Sequence, residues 1–244
     1  TLLDDPNSDR PERRTAIVTY NINIAALSET RRANKGHLRE EVGGYTFFWK
    51  GKPTNDRQVH GVGFAIKNQI VSRMTEFPAG INERLMTLHL QLANNLSATV
   101  ISAYAPTLAA KEEHYADLDE ILTIIPKEDK IILLGDFNAR VARDSNMWRG
   151  TIGKEGVGKA NPNGILLLSK CVEHDLVITN TIFRQHDRYK TTWQHPSKQW
   201  HLLDYVIIRA RDLKDVHIMC VITNHHLVRS ILSIRVALKH RKEP

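Results

Sequence analysis

A mixed α/β fold is what this 244-residue sequence predicts. Many short strand patterns stand against only two or three helix patterns, and two of the strands read as a hairpin. Together these argue for mixed sheets rather than a doubly wound parallel one. Composition agrees: 41% hydrophobic and 25% charged residues are globular averages. A chain of this length buries roughly 70–75% of its unfolded surface. One domain over 1–244 is expected, with 1–14 a loop-like lead-in and 238–244 a basic tail.

The elements follow in order. The lead-in carries two prolines and several charges. Ile24–Ser28 is a short apolar strand, and Tyr45–Trp49 and Val62–Ile66 are further strands joined by the Gly/Pro/Asn-rich stretch Gly51–Gly61. In Met86–Leu92, apolar Met86, Leu88, Leu90 and Leu92 alternate with polar side chains, a strand period. Asn94 and Asn95 supply turn chemistry, and Ser97–Tyr104 returns as the antiparallel partner that Pro106 stops. Lys111–Ile125 reads as a helix, with Tyr115, Leu118, Leu122 and Ile125 at spacings of three and four. Lys130–Gly135 is a continuous apolar run of buried-strand type. Gly150–Gly164 is a loop rich in glycine and lysine, and Ile165–His174 a second helix. Leu176–Thr179, Thr191–Gln194, Leu203–Ile208 and Ser230–Ala237 complete the strands.

Charge and cysteines bound the function only loosely. The chain has 34 Lys+Arg against 27 Asp+Glu, a net +7, and a pI near 9.4. That favours a polyanionic partner without deciding for one. Two cysteines, Cys171 and Cys220, exclude a disulfide scaffold and a Cys-rich zinc module, and read as reduced thiols. No apolar run reaches about 18 residues and no signal pattern opens the chain, so neither a membrane span nor secretion is expected.

The sharpest chemical segment is Gly135-Asp136-Phe137-Asn138 at the end of an apolar strand. If the backbone stays extended, Asp136 and Asn138 leave on one side and Phe137 on the other. A carboxylate beside an amide suits activation of a water, the one accepting its proton and the other orienting its oxygen. An Asx turn closing the strand is the alternative. Asp204 lies in a late apolar strand, 21 residues before His225. An imidazole held by a carboxylate is fixed in tautomer and can donate to a phosphate oxygen; a structural Asp and a surface His pair is the plainer reading. Glu29 ends an apolar strand, as an oxygen ligand for Mg²⁺ would or as an ordinary surface carboxylate. Tyr104 closes another strand and by itself reads as a core or rim tyrosine. Gly153–Lys159 has the spacing of a phosphate loop, but Ala160 replaces the magnesium-binding Ser/Thr and no apolar strand precedes it, so it reads as a basic loop.

In order, Glu29, Tyr104, Gly135-Asp136-Phe137-Asn138, Leu203-Asp204-Tyr205 and His225 resemble the motifs of the endonuclease/exonuclease/phosphatase family. Narrower strings are Ile24–Arg31, Gly44–Trp49, Ile101–Pro106 and Trp200–Tyr205. They look like the RTE-type non-LTR retrotransposon endonucleases and the craniofacial development protein family. The resemblance covers nearly the whole chain. It implies a four-layer sandwich of two mixed sheets flanked by helices, and Mg²⁺-dependent hydrolysis of a DNA phosphodiester, with Mn²⁺ as a substitute. It makes Glu29, Asp136 and Asn138 the metal site, with Asp136 activating and Asn138 orienting the attacking water. It sets Tyr104 facing the scissile phosphate, His225 on a phosphate oxygen, and Asp204 as partner of His225. A monomer acting on DNA, with no membrane, in a nuclear rather than cytoplasmic setting, goes with it.

Three departures from the pattern stand out. Asn21 lies only eight residues before Glu29, too few for a crossover between parallel strands, so Asn21–Asn23 leads into the Glu29 strand. An N-terminal strand is therefore expected to be missing, and a helix around Arg13–Val18 shortened. Asn224 stands where the family has an Asp before its last His, losing a negative charge. Ile222-Thr223 is reached by a short loop. Each departure predicts weakened catalysis or none. Two alternatives thus stand beside a nicking endonuclease: a degenerate copy that at most binds nucleic acid, and a phosphatase of the same fold.

Overall fold

The computed structural model describes residues 10–107, 111–186, 189–222 and 227–237. The chain forms two compact units, Thr1–Ser102 with Ile234–Pro244, and Ala103–Ser233.

Among the described residues the first unit opens with α1 (Arg10–Thr19), so residues 10–14 of the expected loop-like lead-in are helical. Asn21, at φ 54°, turns the chain from α1 into β1 (Ile24–Ser28), as its spacing from Glu29 required. There follow β2 (Lys35–Glu40), β3 (Tyr45–Lys50) and β4 (Val62–Lys67). They form one antiparallel sheet in the order β1-β4-β3-β2. Its core side packs Ile17 of α1 with Ala25, Tyr45, Phe47 and Ala65. The Tyr45 hydroxyl donates to Ile22 O at 2.7 Å, so the buried ring keeps a partner for its polar tip. Edge strand β2, largely exposed and carrying Lys35, His37, Arg39 and Glu40, lacks the apolar pattern by which a strand is read in sequence.

After the single turn α2 (Asn68–Val71) come β5 (Ala79–Asn82), β6 (Leu85–Gln91) and β7 (Ser97–Tyr104), neighbours in that order. The period-two alternation holds in β6: Met86, Leu88 and Leu90 are buried while His89 and Gln91 are exposed. Residues 234–237 return to this unit. Ala93 N–H donates to Arg235 O at 2.8 Å, Ala237 N–H donates to Gln91 O at 2.9 Å, and Leu92 bridges Val236.

The second unit takes the last two residues of β7, then α3 (Lys111–Ile124), β8 (Lys130–Asp136), α4 (Pro162–Glu173) and β9 (Leu176–Ile178). The hairpin β10 (Trp193–Gln194) and β11 (Trp200–His201) leads into β12 (Asp204–Arg209), and β13 (Val216–Ile222) pairs with β14 (Leu227–Leu232). Strand β12 lies between β8 and β9, antiparallel to both. Ile131, Leu133, Tyr205, Ile207 and Ile178 are all at most 2% exposed, each worth about 1.5–3 kcal/mol of burial. Helix α4 starts three residues before its expected position. Asn161 caps it, accepting from Gly164 N–H, and Pro162 sits at its first turn, where a missing N–H costs nothing. The expected strand over Ser230–Ala237 is shifted, ending at Leu232, because Arg235–Ala237 pair with the end of β6 instead. Strand β13 escaped the sequence reading because a continuous apolar run fits a strand and a buried helix alike. The basic tail, 238–244, lies outside the described residues. No helix among the described residues is long and apolar enough to cross a membrane.

Candidate active site

The second unit gathers four of the predicted residues at one end of its strands. Asp136 is the last residue of β8 and Asp204 the first of β12, and they face each other in register. Directly opposed antiparallel residues share a face with Cβ atoms about 5 Å apart, where like charges repel. Tyr104, 8% exposed, ends β7. Its neighbours on both sides lie against β8: Ala105 N–H donates to Asp136 O at 2.9 Å, and Ala103 packs on Gly135. Gly135 has φ 151°, and a Cβ there would lie 1.8 Å from Ala103 O. The glycine of the Gly-Asp-Phe-Asn motif therefore permits close approach of two backbones.

The strand does not stay extended through Asn138, contrary to the same-side expectation. Asn138 has φ 46°, and its N–H donates to Asp136 Oδ1 at 2.8 Å, closing the Asx turn named as the alternative. The turn still serves the site. Asn138 Nδ2 donates to Ala105 O at 2.8 Å, beside Tyr104, while Phe137 is fully buried against Tyr205. The Tyr205 hydroxyl donates to Ala139 O and Leu202 O, 2.9 Å each, and burial pushes its pKa up.

Several supporting polar side chains went unnoticed in the sequence. Asn163, 1% exposed, donates from Nδ2 to Pro106 O at 2.9 Å and to Phe137 O and Asn138 O at 3.3 Å. Asn161 Nδ2 donates to Asn138 O at 3.0 Å. Asn180 braces β12, donating to Asp204 O at 3.1 Å and accepting from Val206 N–H at 2.9 Å. Thr192 Oγ1 accepts from the N–H groups of Leu203 and Asp204. The one available signal was Asn161-Pro162, a helix cap followed by a proline, inside a stretch read as loop.

The basic loop is packed rather than nucleotide-shaped. A Cβ on Gly156 would lie 1.8 Å from Ala142 O, and Glu155 pairs with the buried Lys190 at 2.7 Å. His225 and Asn224 lie outside the described residues.

Glu29 belongs to the first unit, one residue past β1, with φ 55° and a 3.1 Å ion pair to Arg31. Thr30 N–H donates to Gly61 O and Arg31 N–H to His60 O, at 3.0 and 3.1 Å, which holds the left-handed residues Glu29 and Arg31 in place. His60 contacts Arg84 at 3.0 Å. Burial, with the Arg84 and Lys52 cations, holds its pKa below the ordinary imidazole value.

A separate set, Asp119 of α3 with Glu173 and His174 at the end of α4, brings three potential metal-donor atoms within 4.8 Å. Lys170 already supplies a cation there, 3.1 Å from Asp119 and 2.5 Å from Glu173, and His174 lies 2.7 Å from Asp119. Hydrogen bonds from His174 and Lys170 hold the Asp119 carboxyl below its ordinary range. Such a lowered pKa stabilises the fold above the unfolded-state value and ceases to do so as pH falls through the folded one. Asp119→Asn is expected to destabilise the fold slightly at neutral pH, by under ~1 kcal/mol for this half-exposed network. The difference should close in acid. A constant difference across a pH series of melting curves would assign the stabilisation elsewhere.

The fold and the pairing of the Gly-Asp-Phe-Asn and Leu-Asp-Tyr segments lead to a known family. Residues 8–227 match the family described as Endonuclease/Exonuclease/phosphatase family, and the chain belongs to it. It is 32% identical over 196 residues to Craniofacial development protein 2 of Bos taurus, and 31% to that of Tragulus javanicus. The match covers 78% of this chain, which spans about a third of those relatives. Among solved structures, the catalytic domain of Xenopus laevis APE2 superposes with TM-score 0.64 at 12% identity, over 98% of this chain and 92% of that one. The endonuclease domain of TRAS1, a telomere-specific non-LTR retrotransposon, gives 0.60 at 13%, over 97% and 96%. The 3′ phosphatase NExo from Neisseria, bound to a product DNA hairpin, gives 0.53 at 14%, over 86% and 85%. These structural likenesses show the fold, and the fold class and family read from the motifs are borne out.

Proposed function

We propose that this chain is a metal-dependent endonuclease domain of retrotransposon origin that nicks DNA. The observation that carries the reading is the in-register pair Asp136–Asp204 beside Tyr104 and the Asn138 turn. The opposed carboxylates and the Asn138 amide concentrate oxygen donors where β8 ends and β12 begins. The donors here are oxygens, and the Cys171 thiol, buried with its pKa pushed up, is no ligand. Such a set fits Mg²⁺ or Mn²⁺. Asp136 and Asn138 would hold it, with Glu29 as the further ligand that the motifs imply. When bound, the cation neutralises charge developing on the phosphoryl oxygens.

The chain's own groups do the rest. Asp136, its Oδ1 tied to the Asn138 N–H, accepts the proton of the attacking water. The Asn138 side chain, anchored on Ala105 O, orients that water. In this reading the Tyr104 hydroxyl faces the phosphate, and the family pattern assigns His225, as partner of Asp204, the donor to a phosphate oxygen. The net charge of +7 supports backbone binding that weakens as salt rises. A monomer in the nucleus accords with a DNA substrate.

Supercoiled plasmid tests the reading. With Mg²⁺ it should become nicked circle, and EDTA should stop the conversion. Glu29→Gln should raise the Mg²⁺ concentration needed. Phosphate release from a small phosphoester without nicking would favour the phosphatase, a reading to which the fold shared with a 3′ phosphatase gives support. Salt-sensitive DNA binding with neither activity would identify a degenerate copy.

A further inference from the structure

We infer that Asn161 and Asn163, at the start of α4, are positioning residues that lock the backbone of Asn138 in its working conformation. The inference rests on the proposed hydrolysis for its functional meaning, but its geometry stands apart from it. Asn138 is a non-glycine residue at φ 46°, a conformation that persists only when its surroundings over-determine it. Its N–H and Nδ2 account for two restraints, to Asp136 Oδ1 and Ala105 O. Its carbonyl oxygen is gripped by two amides, Asn161 Nδ2 at 3.0 Å and Asn163 Nδ2 at 3.3 Å.

Both amides are fixed in orientation. Asn163 Nδ2 faces the carbonyl oxygens of Pro106, Phe137 and Asn138, so a flipped amide would set oxygen against oxygen. Its own Oδ1 is buried without a hydrogen-bond partner, so this side chain is retained for its donors despite the cost of an unsatisfied acceptor. Asn161 is fixed from its other end, its Oδ1 accepting from Gly164 N–H at 2.8 Å and Arg140 N–H at 2.9 Å. Asn161 N–H donates to Arg140 O at 3.1 Å, and a Cβ on Gly164 would lie 1.8 Å from that same oxygen. The first turn of α4 is thus clamped onto 137–140 with no room between. Residues 23 and 25 positions downstream thereby hold the residue proposed to orient the water.

Asn161→Asp separates this role from helix capping. The carboxylate keeps both acceptor contacts and remains a strong cap, but loses the donor to Asn138 O. Asn161→Ser likewise keeps a cap and lacks the amide. The serine variant should keep a thermal midpoint near the parent's, while the aspartate, which sets an oxygen against Asn138 O, should melt somewhat lower. Hydrogen exchange of the Asn138 amide should quicken by ~10-fold or more as the turn opens locally. The kcat for plasmid nicking should fall on the order of 10²-fold with KM little changed, the signature of a misplaced orienting group. Unchanged Asn138 exchange in both variants would overturn the clamp whatever the activity. Faster exchange with undiminished kcat would overturn its catalytic meaning. If the parent chain does not nick at all, faster exchange still supports the clamp, and the proposed hydrolysis alone falls.

Discussion

Asp136→Asn is expected to cut plasmid nicking by about 10²–10⁴-fold, the range for loss of a general base, without unfolding the protein. The replacement amide still offers Oδ1 to the Asn138 N–H, so the turn that ends β8 survives. Stability should therefore hold while activity collapses, a split that a merely structural residue does not give. Single-turnover nicking rates and denaturant midpoints on the same preparation measure both. A nicking rate equal to the parent's would remove Asp136 from the chemistry.

The largest effect on stability should come from Gly135→Ala. At φ 151° a side chain is strained in any case, and the added Cβ would meet Ala103 O at 1.8 Å. The obstacle is backbone inside a sheet, so neither strand can move aside cheaply. A loss of at least about 3 kcal/mol is expected. Chemical denaturation would read it as a lowered midpoint, or expression as failure to accumulate folded protein. The same contact ties stability to function, because Ala103 and Gly135 set Tyr104 beside Asp136. An alanine variant with a wild-type midpoint would show that β7 and β8 approach less closely than the structure has them.

What could be read from the sequence depended on how local the responsible physics is. Strand β1, the helix of Lys111–Ile124 and the buried run of β8 announce themselves through period or continuous apolarity within a few residues. Asp136, Asn138 and Asp204 were legible because they sit at the ends of such strands. The polar edge strand β2 carries no apolar period. The docking of residues 235–237 on the end of β6 depends on a partner more than 140 positions away, which no local window contains.

The identity of the strongly patterned strands, the order of the motif residues and the membership of the family were thus determined by the sequence itself. Tertiary structure alone decided how Asp136 meets Asn138. The sequence allowed an extended strand or an Asx turn, and the turn won because a fully buried Phe137 and the amides of Asn161 and Asn163 fix the backbone beyond β8. It alone decided that Asp136 and Asp204, 68 positions apart, are opposed in register. The reason is physical: hydrogen-bond register and the satisfaction of buried carbonyls are settled between segments, once their cores have closed around them.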